Sequence, residues 1–334
     1  MALSLEKDVL LFFEDHDRDT FVRNDRRIRT FLRKTSYLVR PRKQVFTGFE
    51  VAFLQLKKAL ERVGRRVHVN AYGLARRNPR FPIGITGYPH ILIDWKLPNP
   101  AVLGPGLYDH PAQAPDLMKD PRFKRYTVSC DWYGAIFAAV YGADRIAHWY
   151  AGLDGDEWPD LSGKAKDLDV LIYDKIPRGR QTVPAEVLGP VEAELKRRGL
   201  RTATIQYKYY VHAEYRALLA RTRSMIWLAE HETQGIAYQE ALSSGVPLCA
   251  WDPGVWTDPL AKRYESRQVP ASSIPYFGPE CGEWFRKVDE FPAALGRMMD
   301  NLPNYRPREF VRRELSLEGS ANLYLKHLAA AAST

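Results

Sequence analysis

The sequence predicts an α/β protein of two domains, each a parallel β-sheet covered by helices. Its 334 residues suit two domains of about 150 residues each. Short β-type apolar segments alternate with segments of helical periodicity, which is the pattern of parallel sheets. A turn-rich stretch, Gly155–Gly163, separates two such series near the middle of the chain. We therefore expect one series of strands and helices in each domain.

The first series begins with a buried strand and a long helix. In Phe49–Val63 apolar residues recur at helical spacing, and Gly64 ends the helix. The strands predicted in this half are Val9–Glu14, Arg66–Asn70, Pro89–Asp94 and Arg125–Ser129, and its second helix is Trp132–Tyr141.

The second series begins with Leu168–Tyr173 (LDVLIY), a β-type segment without polar alternation, as in a strand buried on both faces. The segments that follow are helices Ala185–Arg198, Ala213–Arg221 and Gly235–Ser244, strands Thr202–Tyr207, Ser224–Leu228 and Pro247–Trp251, helices near Glu283–Asn301, and a final helix Ser320–Ala331. Both halves are thus Rossmann-like, and ligands of such sheets bind at the carboxyl ends of the strands.

Composition indicates a cytoplasmic protein. No apolar run approaches the ~20 residues that span a bilayer, and Met1–Leu11 lacks the pattern of a secretory signal. Cys130, Cys249 and Cys281 are far apart and have no CxxC spacing, so neither a disulfide framework nor a zinc site is expected.

The net charge of +9 is concentrated in Arg18–Lys43, where ten Lys and Arg face only two Asp. This segment is either a solvated helix face and loop, or a contact for an anionic acceptor or for the inner face of the membrane. Nucleic acid is not an expected partner, because no binding motif accompanies the charge.

The segment Met225–Asp252 carries the strongest chemical signal. It contains a strand, an acidic loop, a helix, a Gly-Val-Pro turn and a strand, with Glu232 and Glu240 eight residues apart. The amides of Gly235 and Ile236 fall in the first helical turn, where phosphate binds readily. A carboxylate before these amides can accept hydrogen bonds from sugar hydroxyls, and one after them from a ribose diol.

This segment resembles the donor-binding signature of retaining glycosyltransferases of the GT-B fold (family 4, group 1 type), Glu-x7-Glu followed by a Gly-x-Pro turn. The resemblance implies two Rossmann-like domains facing a central cleft and a UDP- or GDP-sugar as donor. It implies that Glu232 contacts the transferred sugar, that Gly235 and Ile236 contact the diphosphate, and that Glu240 contacts the ribose. The packing and turn positions of the signature match Ala241, Gly245 and Pro247. The alternative is an amphipathic helix whose two acids face solvent.

The resemblance also implies two cations on the donor phosphates. The family has a Gly-Arg pair after the strand and a lysine a few residues later, whereas this chain reads LIYDKIPRGR. We place Lys175 in the first role and Arg180 in the second, with Arg178 as a competitor. Two cations would stabilise the leaving diphosphate without a metal, although a surface loop with scattered positive charge would look the same.

Three further positions follow from the resemblance. The nucleotide base is expected near Tyr207–His212, where the tyrosines could instead be packing residues. Gly48 fits a glycine-bearing loop that approaches the diphosphate. His110, with Asp109 as second choice, fits a histidine near the sugar, and its alternative is an exposed side chain in a Pro-Gly turn.

No metal site is predicted. The acidic segment Glu14–Thr20 could begin a calcium loop, but Thr20 stands where glycine is needed at position 6 and Arg26 where glutamate is needed at position 12. No HExxH pair occurs.

The interpretation is therefore a metal-independent, retaining hexosyltransferase that needs no cofactor beyond its nucleotide-sugar substrate. Residues 1–155 form the acceptor-side domain, 156–316 the nucleotide-sugar domain, and 317–334 a C-terminal helix that packs back on the first domain. The acceptor is a saccharide, a lipid-linked sugar or another small molecule. A nucleotide-sugar epimerase on the same fold and a non-catalytic basic nucleotide-binding module remain alternatives.

Overall fold

The structure is a computed structural model that describes residues 3–15, 35, 48–176 and 182–333. The predicted cations Arg178 and Arg180 lie outside the described residues, as does the basic segment Arg18–Lys43 apart from Thr35. The chain divides into two compact units. Of the described residues, unit 1 holds those up to Gly152 together with those from Leu317 onward, and unit 2 holds those from Leu153 to Ser316.

Strands and helices alternate along the described chain. The strands are β1 Asp8–Glu14, β2 Arg66–Val69, β3 Ile83–Gly87, β4 Ala101–Gly106, β5 Phe123–Val128, β6 Ile146–His148, β7 Leu168–Asp174, β8 Thr202–Gln206, β9 Thr222–Leu228, β10 Leu248–Trp251 and β11 Gly282–Phe285. The α-helices are α1 Gly48–Arg62, α2 Tyr72–Arg77, α3 Asp131–Tyr141, α4 Thr182–Arg197, α5 His212–Arg221, α6 Ile236–Ser243, α7 Pro259–Tyr264, α8 Phe291–Asn301, α9 Pro307–Glu314 and α10 Leu317–Ala332.

Unit 1 is built on a parallel sheet with the strand order β2-β1-β3-β4-β5-β6. The C-terminal helix α10 belongs to its core, because Tyr324 is fully buried and donates to the carbonyl of Gly104 on β4 (3.1 Å). Gly84 on β3 allows this packing, since a Cβ there would lie 2.3 Å from the Tyr324 hydroxyl.

Two predicted elements are wrong. Pro89–Asp94 is not a strand, because Pro89–Leu92 forms a 3-10 turn. Proline is favourable at the first position of such a turn, since the N–H that it lacks would not be hydrogen-bonded there. The strands on either side are β3 and β4, so the Gly-Pro-Gly sequence lies within β4. Glu283 lies in β11, and the predicted helix begins later, at Phe291.

Unit 2 is built on a parallel sheet with the strand order β11-β10-β9-β7-β8. Strand β7 lies between β8 and β9, and Asp174 at its end is in register with Gln206 of β8 and Leu228 of β9. The segments that follow these three strands therefore leave the sheet side by side at one edge. No helix in the described part of the chain is long and apolar enough to cross a bilayer.

Candidate functional site

The carboxyl edge of the unit 2 sheet brings together residues that are far apart in sequence. The amide of Lys175 donates to the carbonyl of Leu228 (2.8 Å), and the amide of Tyr207 donates to the carbonyl of Asp174 (2.9 Å). These bonds extend the β7–β9 and β7–β8 pairings by one residue. Lys175 and Tyr207 are thus held where the sheet ends.

Lys175 forms an ion pair with Glu232, whose side chain lies in the loop after β9. Its ammonium group also lies 4.6 Å from the centroid of the Tyr207 ring and 5.9 Å from that of Trp227. Glu232 is only 8% exposed. The predicted phosphate cation and the predicted sugar-binding carboxylate are therefore neighbours, and aromatic faces support the cation.

The backbone of the acidic loop is fixed by a segment that the sequence did not single out. The amide of Glu232 donates to the carbonyl of Ser272 (2.8 Å). Asp252, directly after β10, accepts hydrogen bonds from the Ser272 hydroxyl and from the Ser273 amide, both at 2.9 Å. Asp252 thereby orients the loop that holds Glu232. The only sign of this role in the sequence is that Asp252 directly follows a predicted strand.

Gly235 precedes α6 in the left-handed conformation, with φ of 76°. A Cβ at this position would lie 2.0 Å from the ring of Tyr238, so only glycine fits. In the described chain the amides of Gly235 and Ile236 have no hydrogen-bond acceptor, as is usual in a first helical turn. This end of α6 therefore offers two free N–H groups to an anion.

Tyr238 holds the start of α6 in place. Its hydroxyl accepts from the amide of Tyr276 (3.0 Å) and donates to the carbonyl of the same residue (3.3 Å). Gln239 and Gln234 bond to each other across the same turn, and the Gln239 amide nitrogen also donates to the Gln234 carbonyl (2.6 Å). Sequence reasoning missed Tyr238, which reads as an ordinary helix residue.

Glu240 lies on the buried face of α6 and is 5% exposed. Its carboxyl group makes no hydrogen bond to any described residue. Burial raises the pKa of Glu240 to about 8, and Glu157 adds to the rise while Arg216 opposes it. A neutral carboxyl group can both donate and accept hydrogen bonds, so it can bond to both hydroxyls of a vicinal diol. The alternative of two solvent-facing acids is wrong, because Glu232 and Glu240 are both buried.

The predicted base-binding segment Tyr207–His212 follows β8 and ends at the first residue of α5. The Tyr207 ring is next to Lys175, while the Tyr210 hydroxyl bonds to that of Tyr173 (2.7 Å). Tyr209 is 64% exposed. Packing accounts for Tyr210, whereas the Tyr209 side chain is exposed and is not used in packing.

Two predicted site residues, Gly48 and His110, belong to unit 1. Gly48 is the exposed first residue of α1, and a Cβ there would meet nothing within 4 Å. His110 is 3% exposed, and its Nδ1 accepts from the amide of Ala112 (3.1 Å), which caps the 3-10 turn Pro111–Gln113. The alternative of an exposed histidine is therefore wrong. Their contacts with donor stay predictions.

A metal-binding cluster is not found in the described ranges: no group of three or more His, Cys, Asp or Glu is arranged to hold an ion there.

No protein-family model matches the chain, and no curated protein matches it. Solved structures do match. AviGT4, a glycosyltransferase involved in avilamycin A biosynthesis, has a TM-score of 0.55 at 12% identity over 97% of this chain and 98% of its own. Sucrose-phosphate synthase from Thermosynechococcus elongatus has 0.52 at 11% identity, over 97% of this chain and 100% of its own.

A third structure, an S. aureus TarM mutant in complex with fondaparinux, α-GlcNAc-glycerol and UDP, has a TM-score of 0.53 at 9% identity, over 74% of this chain and 55% of its own. At such identities the likeness shows the fold alone. The predicted fold is confirmed: an α/β chain with two Rossmann-like domains, as in the GT-B fold.

Proposed function

We propose that this protein is a glycosyltransferase that transfers a hexosyl group from a UDP- or GDP-sugar to an acceptor hydroxyl, with retention and without a metal. One observation carries the proposal. Glu232 with its partner Lys175, the free amides of Gly235 and Ile236, and the buried Glu240 follow one another in the segment after β9. Their order along the chain matches the order of sugar, diphosphate and ribose in a nucleotide-sugar.

The diphosphate binds at the start of α6. The amides of Gly235 and Ile236 donate to its oxygens, and the positive end of the helix adds a favourable potential. Lys175 supplies the first cation from the adjacent strand end, and Arg180 is proposed as a second. When the bond between the anomeric carbon and the phosphate oxygen breaks, its electron pair leaves on the diphosphate. These groups stabilise that charge.

The transferred sugar lies between the phosphate site and the acceptor. Glu232 accepts hydrogen bonds from its hydroxyls, and His110 and Gly48 are proposed as further donor contacts on the basis of the family resemblance. The acceptor oxygen bonds to the anomeric carbon on the face from which the diphosphate leaves, and its proton passes to an oxygen of the leaving diphosphate. The products are a glycoside and a nucleoside diphosphate.

The nucleoside occupies the other end of the site. Glu240 bonds the ribose diol, and the base contacts the loop Tyr207–His212, where the exposed ring of Tyr209 offers a stacking face. The acceptor is a saccharide, a lipid-linked sugar or another small molecule. Peripheral membrane contact through Arg18–Lys43 would suit a lipid-linked acceptor.

The proposal is tested by the thermal stability of the native protein with UDP, GDP, ADP and their sugar conjugates. A ligand at one hundred times its dissociation constant adds about 2.7 kcal/mol to the free energy of unfolding. We expect UDP or GDP and the corresponding sugar conjugates to stabilise the native protein. Glu240→Ala should lose this stabilisation, whereas Glu192→Ala, at an exposed position on α4, should keep it.

A second readout is release of the nucleoside diphosphate from the stabilising sugar conjugate when candidate acceptors are added. Release that depends on an acceptor supports transfer. Stabilisation by none of the nucleotides would contradict the proposal. Formation of an epimerised sugar without an acceptor would show instead that the protein is a nucleotide-sugar epimerase.

A further inference from the structure

Lys208 has a backbone conformation that lysine rarely adopts. The amide of Tyr209 donates to the carbonyl of Gln206 (3.0 Å), which closes a turn directly after β8. Lys208 is the third residue of this turn and has φ of 72°. Glycine or asparagine usually occupies such a position, because a Cβ is disfavoured at positive φ. The turn therefore carries a strain that glycine would relieve.

The side chain of Lys208 lies beside the Lys175 site. Its ammonium nitrogen is 5.3 Å from the centroid of the Tyr207 ring, the same ring that lies 4.6 Å from the ammonium nitrogen of Lys175. The two cations are thus within about 10 Å of each other, whichever side of the ring each occupies.

Only one of these two cations is neutralised. Lys175 pairs with Glu232, whereas Lys208 has no ion pair with any carboxylate in the part of the chain that the structure describes. Glu232 offsets the charge of Lys175, so the charge of Lys208 is the uncompensated one beside the Tyr207 ring. A bound anion would offset this charge, and the arrangement therefore favours an anionic ligand.

We propose that Lys208 is a further phosphate-binding residue of the donor site and supplies positive charge at the end of β8. The inference rests on the proposed function and deepens it. It assigns Lys208 to the role of a further cation on the donor phosphates, for which the sequence offered only Arg178 and Arg180. Lys208 binds the diphosphate from the β8 side, and Lys175 binds it from the β7 side.

The competing explanation is that Lys208 merely occupies a surface turn. Four variants separate the two. Lys208→Ala removes the charge, Lys208→Gly removes the charge and also relieves the strain, Lys208→Arg keeps the charge, and Lys196→Ala removes an exposed charge on α4 as a control. Dissociation constants for UDP and GDP are measured by titration calorimetry on each full-length variant, together with its thermal midpoint.

For the diphosphate that the native protein binds, we expect Lys208→Ala and Lys208→Gly to weaken binding about tenfold, equivalent to about 1.4 kcal/mol. Lys208→Arg and Lys196→Ala should stay within about threefold of native, since a charge-assisted bond tolerates Arg for Lys at an exposed site. Lys208→Gly should melt at or above the native midpoint, so its lost affinity cannot come from unfolding.

Native affinity in Lys208→Gly or in Lys208→Ala would overturn the inference and leave the proposed function standing. If the native protein binds neither UDP nor GDP, the proposed function fails, and this inference fails with it.

Discussion

Gly235 and Tyr238 approach each other so closely that the ring of Tyr238 fills the space of a side chain at position 235. A Cβ on Gly235 would lie 2.0 Å from the nearest ring carbon. The Tyr238 ring cannot easily move away, because its hydroxyl bonds to the backbone of Tyr276 on both the donor and the acceptor side. This contact fixes the backbone at the start of α6, where the candidate phosphate site lies.

Gly235→Ala should therefore reduce both stability and donor binding. Overpacking and a positive φ together predict a loss of about 2–4 kcal/mol in the free energy of unfolding. Gly296→Ala is the matched control: Gly296 lies within α8, and a Cβ there meets only the end of the Arg198 side chain, at 3.8 Å. It should be neutral or stabilising by up to about 1 kcal/mol. Chemical denaturation of both variants measures the difference, and an equal effect at the two glycines would contradict the packing described.

The ion pair of Lys175 with Glu232 predicts energetic coupling between the two side chains. In a double-mutant cycle with Lys175→Met and Glu232→Gln, we expect a coupling energy of about 1–3 kcal/mol, because each single change leaves a poorly hydrated charge without its partner. Denaturation of the four proteins gives this energy. Additive effects would show that the two groups do not interact in solution.

Glu240 predicts a specific dependence of stability on pH. Its pKa is about 8 in the folded protein and 4.5 at its ordinary value, so between these limits the folded state holds a proton that the unfolded state has lost. Raising the pH through this window therefore favours unfolding. Glu240→Gln removes the effect.

The measurement compares the free energy of unfolding of native protein and Glu240→Gln at intervals from pH 5 to pH 8.5. The native protein should lose stability relative to the variant as the pH rises to about 8, after which the difference should level off. Lowered histidine pKa values, such as that of His212, contribute equally to both proteins and cancel. Parallel curves would mean that Glu240 is ionised in the folded state.

The ring of Tyr207 predicts a difference between two conservative changes. Tyr207→Phe keeps an aromatic face for Lys175, whereas Tyr207→Leu removes it. A cation–π contact at a partly exposed site stabilises by about 0.5–1 kcal/mol, so Tyr207→Leu should weaken diphosphate binding about two- to fivefold and Tyr207→Phe should not. Equal affinities of Tyr207→Leu and Tyr207→Phe, measured by calorimetry, would show that the Tyr207 ring does not support diphosphate binding.

Much of this architecture is predictable from local sequence. Strands β7 and β9 each contain a run of four apolar residues, VLIY and MIWL, which predicts a buried strand. Helix α1 ends at Arg62, within two residues of Gly64, the stop signal that the sequence offers. The sequence predicts a strand at PHILID instead of the neighbouring β3. Strand β3 contains two glycines, which weaken the sequence signal of a strand. A short apolar run such as PHILID does not distinguish a strand from a 3-10 turn.

The candidate site is only partly readable from sequence. The spacing of Glu232, Gly235 and Glu240 is local, so a linear motif contains it. The contribution of Asp252 depends on which segments become neighbours in the folded sheet. The contribution of Lys208 depends on a positive φ that a lysine in the sequence does not predict. No local pattern carries that information.

The most direct test of the donor site is amide hydrogen exchange on the native protein with and without a saturating nucleoside diphosphate. We predict slower exchange at Gly235 and Ile236 and in peptides that contain Lys175 or residues 206–212, because the bound diphosphate takes up the free amides and orders the adjoining strand ends. Binding of the diphosphate with unchanged exchange at Gly235 and Ile236 would contradict the central claim that the start of α6 holds the donor phosphates.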